Sequence, residues 1–202
     1  SGSGTALFYL ANTNNSFTGP VSFTGGVEVI VNDNGAFGAG TNITIDGGRF
    51  TMGSMNFSGS ASARTAATTR LMLRTAVTVM GVTTFNGVIA NKPGSTGSWA
   101  KQGGGRLVLG GISTYTGSTA VNNGTLQLDL GDDRLPTGTL LSLGQASTNN
   151  TGTFDLNGRN QTVAGLATLA GTSTATNVVT NSAAGASTLT INVPSSTTNV
   201  YG

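Results

Sequence analysis

Cysteine and histidine are both absent from the 202-residue chain, and charged side chains make up only 8% of it. Without thiols there is no disulfide framework, no thiolate chemistry and no Cys-type zinc site. Without imidazole there is no Ser-His-Asp triad, no histidine base and no His-type metal site. The charges that exist, nine Lys and Arg against seven Asp and Glu, are spread thinly. A phosphate-binding surface needs clustered cations, and Arg64, Arg70 and Arg74 are the nearest approach to one. No nucleic-acid partner is therefore expected. No run of 18 apolar residues occurs, so no membrane insertion by this segment is expected. A chain that starts at Ser1 without an initiator Met reads as processed or as a piece of something longer.

What is abundant is glycine, at 32 positions, together with Ser, Thr and Asn, in a chain that is 37% apolar with a net charge of +2. Disordered chains are poor in apolar residues and rich in net charge, so this composition predicts a folded, turn-rich β structure. It also repeats. Residues 2–52 run from GSGTALFYL through SFTG, GGVEVIV and FGAGTNITI to DGGRFTM. Residues 103–158 run from GGGRLVLGG through TYTG, NGTLQLDL and LPTGTLLSL to GTFDLNG. Phe17 and Tyr115, each followed by Thr-Gly, mark equivalent turns. A third head occupies 185–202, where Leu189 and Ile191 correspond to Leu107 and Leu109 and Tyr201-Gly202 to the aromatic turn. We read residues 1–202 as one domain with two internal units and a partial third.

Within each unit apolar residues alternate with period two: Val27, Val29 and Val31; Ile43 and Ile45; Leu71 and Leu73; Val77 and Val79; Leu107 and Leu109; Leu126, Leu128 and Leu130. That is the signature of half-buried strands, and the Gly-Gly, Asn-Gly and Asp-Gly segments between them supply tight corners. Residues 61–75 carry several Ala and Arg, but Thr65, Thr68 and Thr69 lower helix propensity, and a loop leading into a strand from Leu71 to Val79 is expected. Periodicity alone is compatible with an antiparallel sandwich as well as a coil of rungs.

Residues 86–128 decide between them by resemblance. Lys101 before Gly103 and Gly105, the Leu107 and Leu109 strand, Tyr115-Thr116-Gly117, Thr119 and Val121, and Asn123-Gly124-Thr125-Leu126 closely resemble the autotransporter-associated β-strand repeat. Arg106 and Ser113 stand where that family usually has Thr and Asn. The resemblance implies an all-β fold, a right-handed parallel β-helix (solenoid), in a large surface-exposed or secreted bacterial protein. In such a coil each rung pairs with the rungs above and below, with apolar ladders inside and Thr, Ser and Asn outside. At about 20 residues per rung the chain would form roughly 8 to 10 rungs.

Some β-helices are enzymes, and the carboxylates Glu28, Asp33, Asp46, Asp129, Asp132, Asp133 and Asp155 are the groups to test. A glycosidase needs two of them facing each other. Only Asp129, Asp132 and Asp133 are near one another in sequence; they suit either a calcium site or a corner loop neutralised by Arg134, and the loop is the preferred reading. Asp46 and Asp155 read as turn formers that bond local backbone. Gly103-Gly104-Gly105 is followed by no Lys-Ser/Thr and no helix, so it is no phosphate loop; it is expected to fit a crowded corner of the coil. Trp99, Phe8, Tyr9, Phe17, Tyr115 and Tyr201 would suit a carbohydrate-stacking surface, but their recurrence at matched turns argues for packing. No catalytic, cofactor or metal site is expected, and no enzymatic activity. The expected partners are copies of the chain itself, stacked end to end. The alternative is a slice of a longer stalk or adhesin passenger that contacts glycans or surfaces.

Overall fold

The computed structural model describes residues 7–10, 21–23, 28–31, 43–45, 49–52, 56–57, 63–65, 70–75, 82–86, 88–91, 96–169, 177–195 and 198–201. Among these it has twenty strands and no helix. The longest sheet stacks eight: β1 (Leu7–Leu10), β3 (Glu28–Val31), β5 (Arg49–Met52), β8 (Arg70–Thr75), β11 (Ser98–Gln102), β13 (Thr119–Val121), β15 (Leu140–Leu143) and β18 (Gly165–Thr168). A second stacks β6 (Asn56–Phe57), β9 (Val82–Phe85), β12 (Arg106–Leu109), β14 (Gly124–Leu128), β16 (Gly152–Asp155) and β19 (Val178–Thr180). The third face carries β2 (Val21–Phe23), β4 (Ile43–Ile45), β7 (Ala63–Thr65) and β10 (Ile89–Asn91). The remaining pair is β17 (Gln161–Val163) with β20 (Leu189–Ile191).

Every described pairing is parallel. From β5 onward the chain visits the faces in a fixed rotation, for example β15, β16, β17 and then β18, β19, β20. Parallel neighbours joined by a full circuit of the other faces define a β-solenoid, and an antiparallel sandwich is excluded. Circuit length varies around the expected 20: Leu107 pairs with Leu126, 19 residues on, and Leu126 with Phe154, 28 residues on.

The interior is built from columns of residues in register. Leu107, Leu126 and Phe154 stack and are fully buried, with Val179 next in the column. Trp99, Thr119, Leu141 and Leu166 form a second column, and Lys101, Val121 and Leu143 a third. Each large apolar side chain so buried contributes about 1.5–3 kcal/mol relative to exposure. The interior is not purely apolar, however: Lys101, Thr119, Thr139, Asp155 and Gln161 are buried too. Their polar groups are met by backbone carbonyls and amides and by neighbouring hydroxyl and amide side chains.

Several local expectations are corrected. Within 61–75, Ala63–Thr65 is a strand, β7, paired on both sides with β4 and β10. Parallel pairing favours the β-branched Thr that argued against a helix. The alternation at Leu126, Leu128 and Leu130 stops at Leu128: Leu130 has φ 59° and is exposed, turned outward where the Asp129 carboxylate accepts its N–H. Gly104 sits in open space, so crowding does not explain that glycine; Gly103 is needed for its φ of 76°. Strand pairing in the two internal units follows one pattern, β1-β3-β5 with β2-β4 and β12-β14-β16 with β13-β15, but on different faces of the coil. Leu189 and Ile191 lie on β20 beside β17, not in the sheet that holds Leu107 and Leu109. Phe17, Asp33, Asp46, Val77, Val79 and Gly202 lie outside the described residues.

Candidate functional site

The residues that carry the repeat motif converge on one stretch of coil, β11 to β14. Period-two alternation on β11 turns Trp99 and Lys101 to the same side, and both are buried. The Lys101 Nζ donates to the carbonyls of Gln102 (3.2 Å), Gly103 (2.6 Å) and Asn123 (2.8 Å). Three donors thus meet three acceptors, two from its own corner and one from the next circuit. Gly124 makes this approach feasible, since a Cβ there would lie 2.7 Å from Nζ and 2.5 Å from the Gly103 and Gly105 carbonyls. Burial draws the Lys101 pKa down to about 7.

Tyr115 is the aromatic of the Tyr-Thr-Gly turn. Its ring meets Trp99 edge to face at 6.2 Å, and its hydroxyl bonds the Thr119 hydroxyl. Thr119 in turn bonds Thr139 (2.9 Å), which donates to the Gly117 carbonyl (2.9 Å). Burial pushes the Tyr115 phenol up, so it remains a neutral structural hydroxyl. Trp99 and Tyr115 are therefore core residues. Phe8, Tyr9 and Tyr201 are roughly half exposed, Phe8 packing on Phe23 at 5.4 Å.

The acidic corner is used up by the circuit above it. Asp132 accepts from the Asn160 backbone (2.8 Å) and side chain (3.1 Å), which hold its carboxyl below the usual range. Asp133 accepts from the Thr162 N–H at 2.7 Å. Asp129 faces Arg159 at 3.6 Å, while Arg134 donates to the Asp132 and Gly110 carbonyls. Among the described residues no three acidic side chains converge as a metal would require.

Asp155 does form its local turn, accepting from the Asn157 N–H at 3.0 Å, but it also reaches the next circuit. Ser182 donates its N–H (2.9 Å) and hydroxyl (2.7 Å), and Gln127 its amide (2.6 Å). Burial disfavours the charged carboxylate, but these donors outweigh it and hold the pKa below the ordinary value. A depressed carboxylate pKa stabilises the fold above the unfolded value, about 3.9, and that contribution fades as pH falls through the folded value. Asp155→Asn should therefore lower the urea midpoint clearly at pH 7 and by a shrinking amount as pH falls below about 3.9. A loss that stays constant as pH falls would show that the charge is irrelevant.

On the third face, between β10 and β17, two circuits supply no strand. Residues 112–116 and 133–138 fill the interval, held by Thr114 N–H to Ile89 O (2.8 Å), Ser113 N–H to Arg134 O (3.0 Å) and Asp133 N–H to Asn160 O (3.0 Å). An open groove of about 440 Å³ lies between them, walled by Ile112, Thr116, Leu135 and Pro136. Sequence reasoning did not anticipate it, because it arises from missing strand pairing rather than from any motif.

The fold is that of a parallel β-helix whose motif residues form its interior and corners. Residues 100–128, from β11 through β14, match the Passenger-associated-transport-repeat family, the repeat that the sequence resembles. No curated protein and no solved structure matches the chain.

Proposed function

We propose that this chain is a non-enzymatic structural length of a secreted or cell-surface bacterial passenger, a rod built of stacked rungs. The observation that carries the reading is the location of the family-matching residues. Lys101, Leu107, Leu109, Tyr115, Thr119, Val121 and Leu126 are all buried, so the repeat encodes stacking rather than a presented chemical group. The carboxylates at 129, 132, 133 and 155 support it as well, each being engaged by an adjacent circuit or corner.

The rod is extended end to end by further rungs, from another copy in the filament reading. Among the described strands β19 and β20 pair with a strand on one side only, while the Thr168 N–H of β18 donates to the Val200 carbonyl (3.2 Å), and Ile191, Val193, Val200 and Tyr201 are exposed near this end. Phe8 and Tyr9 are exposed on β1, the first strand of the long sheet. Unpaired strand edges with apolar side chains are templates for further pairing, and contact between unlike ends generates an open filament. The passenger-repeat match favours a second reading, in which the rungs are continued covalently as a stalk or adhesin that contacts glycans or surfaces.

Electron microscopy of the chain at increasing concentration separates the two. Filaments lengthening with concentration, with a repeat of about 4.8 Å along the axis, are the expected result. Isolated short particles at every concentration would overturn the filament reading and leave the stalk.

A further inference from the structure

One buried cation, Lys101, has no carboxylate among its hydrogen-bond partners. Lys101 is fully buried, and its hydrogen-bond partners are all backbone carbonyls: Gln102 and Gly103 where β11 ends, and Asn123 just before β14. The elements packed against β11 are β8, β13 and β14. Neither β13 nor β14 contains an ionisable side chain. On β8, Arg70 and Arg74 stand at the register positions of Ser98 and Gln102, one step from the positions of Trp99 and Lys101. Tyr115, beside Trp99, is held neutral by burial. The corner therefore holds an ammonium whose charge is met by dipoles alone.

The same corner joins two circuits. The Asn122 N–H donates to the Lys101 carbonyl (2.9 Å), and the Thr125 N–H to the Gly105 carbonyl (3.2 Å). Gly124, at φ 72°, leaves the space into which Nζ reaches. The Gly103 and Gly105 carbonyls border that space, so the amine joins two circuits there, and among the residues of this corner it is the group that titrates.

We propose that the Lys101 corner is a pH-sensitive joint of the coil, weaker when the lysine carries its proton and stronger when it does not. In the protonated state three N–H groups satisfy three carbonyls, but an uncompensated charge is held out of water, a cost that dipoles offset only in part. In the neutral state that cost vanishes, and the amine still donates twice. The pKa of about 7, drawn down by burial, agrees with this balance.

The sign follows from linkage. Below pH 7 the lysine is charged in both folded and unfolded chains. Between about 7 and its ordinary 10.5 the unfolded chain binds the extra proton, so stability rises with pH. The folding equilibrium constant should gain up to tenfold per pH unit across that window, one proton's worth.

The test is a series of urea unfolding curves on the full chain from pH 5 to 10, for wild type and Lys101→Met. Met keeps the apolar stem and cannot titrate. The wild type should gain stability above pH 7 with a slope near one proton relative to the variant. Parallel profiles for the two would overturn the proposal. Should Lys101→Met not fold, the wild-type lysine Cε resonance is followed by NMR against pH. A midpoint near 7 sustains the joint, and one near 10.5 refutes it.

Discussion

Replacing Phe154 with alanine is expected to destabilise the coil by about 3–5 kcal/mol, the range for deleting a buried aromatic ring. Phe154 is fully buried and stands between Leu126 and Val179 in one interior column. In a globular core, neighbours from several directions relax into such a void. In a stack, the residues above and below are fixed by strand pairing about 4.8 Å away on either side, so collapse is limited and the upper end of the range applies. Thermal or urea unfolding monitored by far-UV circular dichroism measures it. A loss under about 1 kcal/mol would mean that the column is not the core.

A single added methyl group should do nearly as much. In Gly152→Ala the new Cβ would lie 2.0 Å from the Val121 carbonyl oxygen, the acceptor of the Gly144 N–H, and 3.0 Å from the Gly144 nitrogen. Both are backbone atoms, so relief requires moving β16 away from the corner that follows β13. Overpacking of this kind costs about 1–3 kcal/mol, and losing the hydrogen bond adds about 1 kcal/mol. We expect a total of about 3 kcal/mol. Gly138→Ala, where a Cβ meets nothing within 4 Å, is the matched control and should be close to neutral. Equal effects at the two sites would refute the close approach.

The contrast between these glycines shows what a sequence of this kind reveals. The strands were legible because β-structure with one buried face writes its period directly into the chain: Leu107 and Leu109, Thr119 and Val121, Leu126 and Leu128 are inward pairs in both readings. Which glycines are indispensable was not legible, since Gly104 and Gly152 look alike in one dimension and differ only in what the neighbouring circuit places beside them. The parallel arrangement came from the resemblance at Lys101 to Leu126, not from periodicity, which an antiparallel sandwich shares. The strand β7 was missed because its Ala-Arg-Thr sequence has no apolar alternation, and pairing on both sides supplies what propensity does not.

The interior polar groups were the least legible. The family resemblance placed Lys101 in a motif and the local sequence placed Asp155 in a turn, but a sequence does not say that Gly103 and Asn123 turn carbonyls toward one amine, or that Ser182 returns to the Asp155 carboxylate. The Asn123 and Ser182 contacts join residues 22 and 27 positions apart. They exist only once the circuit length is set, and the circuit length varies from rung to rung.

The central claim is that the chain is a single stack of parallel rungs, and its native lack of cysteine makes paired spin labelling a direct test. Glu28, Arg49, Met72, Ala100, Ala120, Ser142 and Ala167 occupy one register column of the long sheet. With one label at Ala167 and the other at Met72, Arg49 or Glu28, pulsed electron paramagnetic resonance should give distances near 19, 24 and 29 Å, lengthening by about 4.8 Å per strand. Distances that fail to grow in that order, or that shorten between Met72 and Glu28, would contradict the stack.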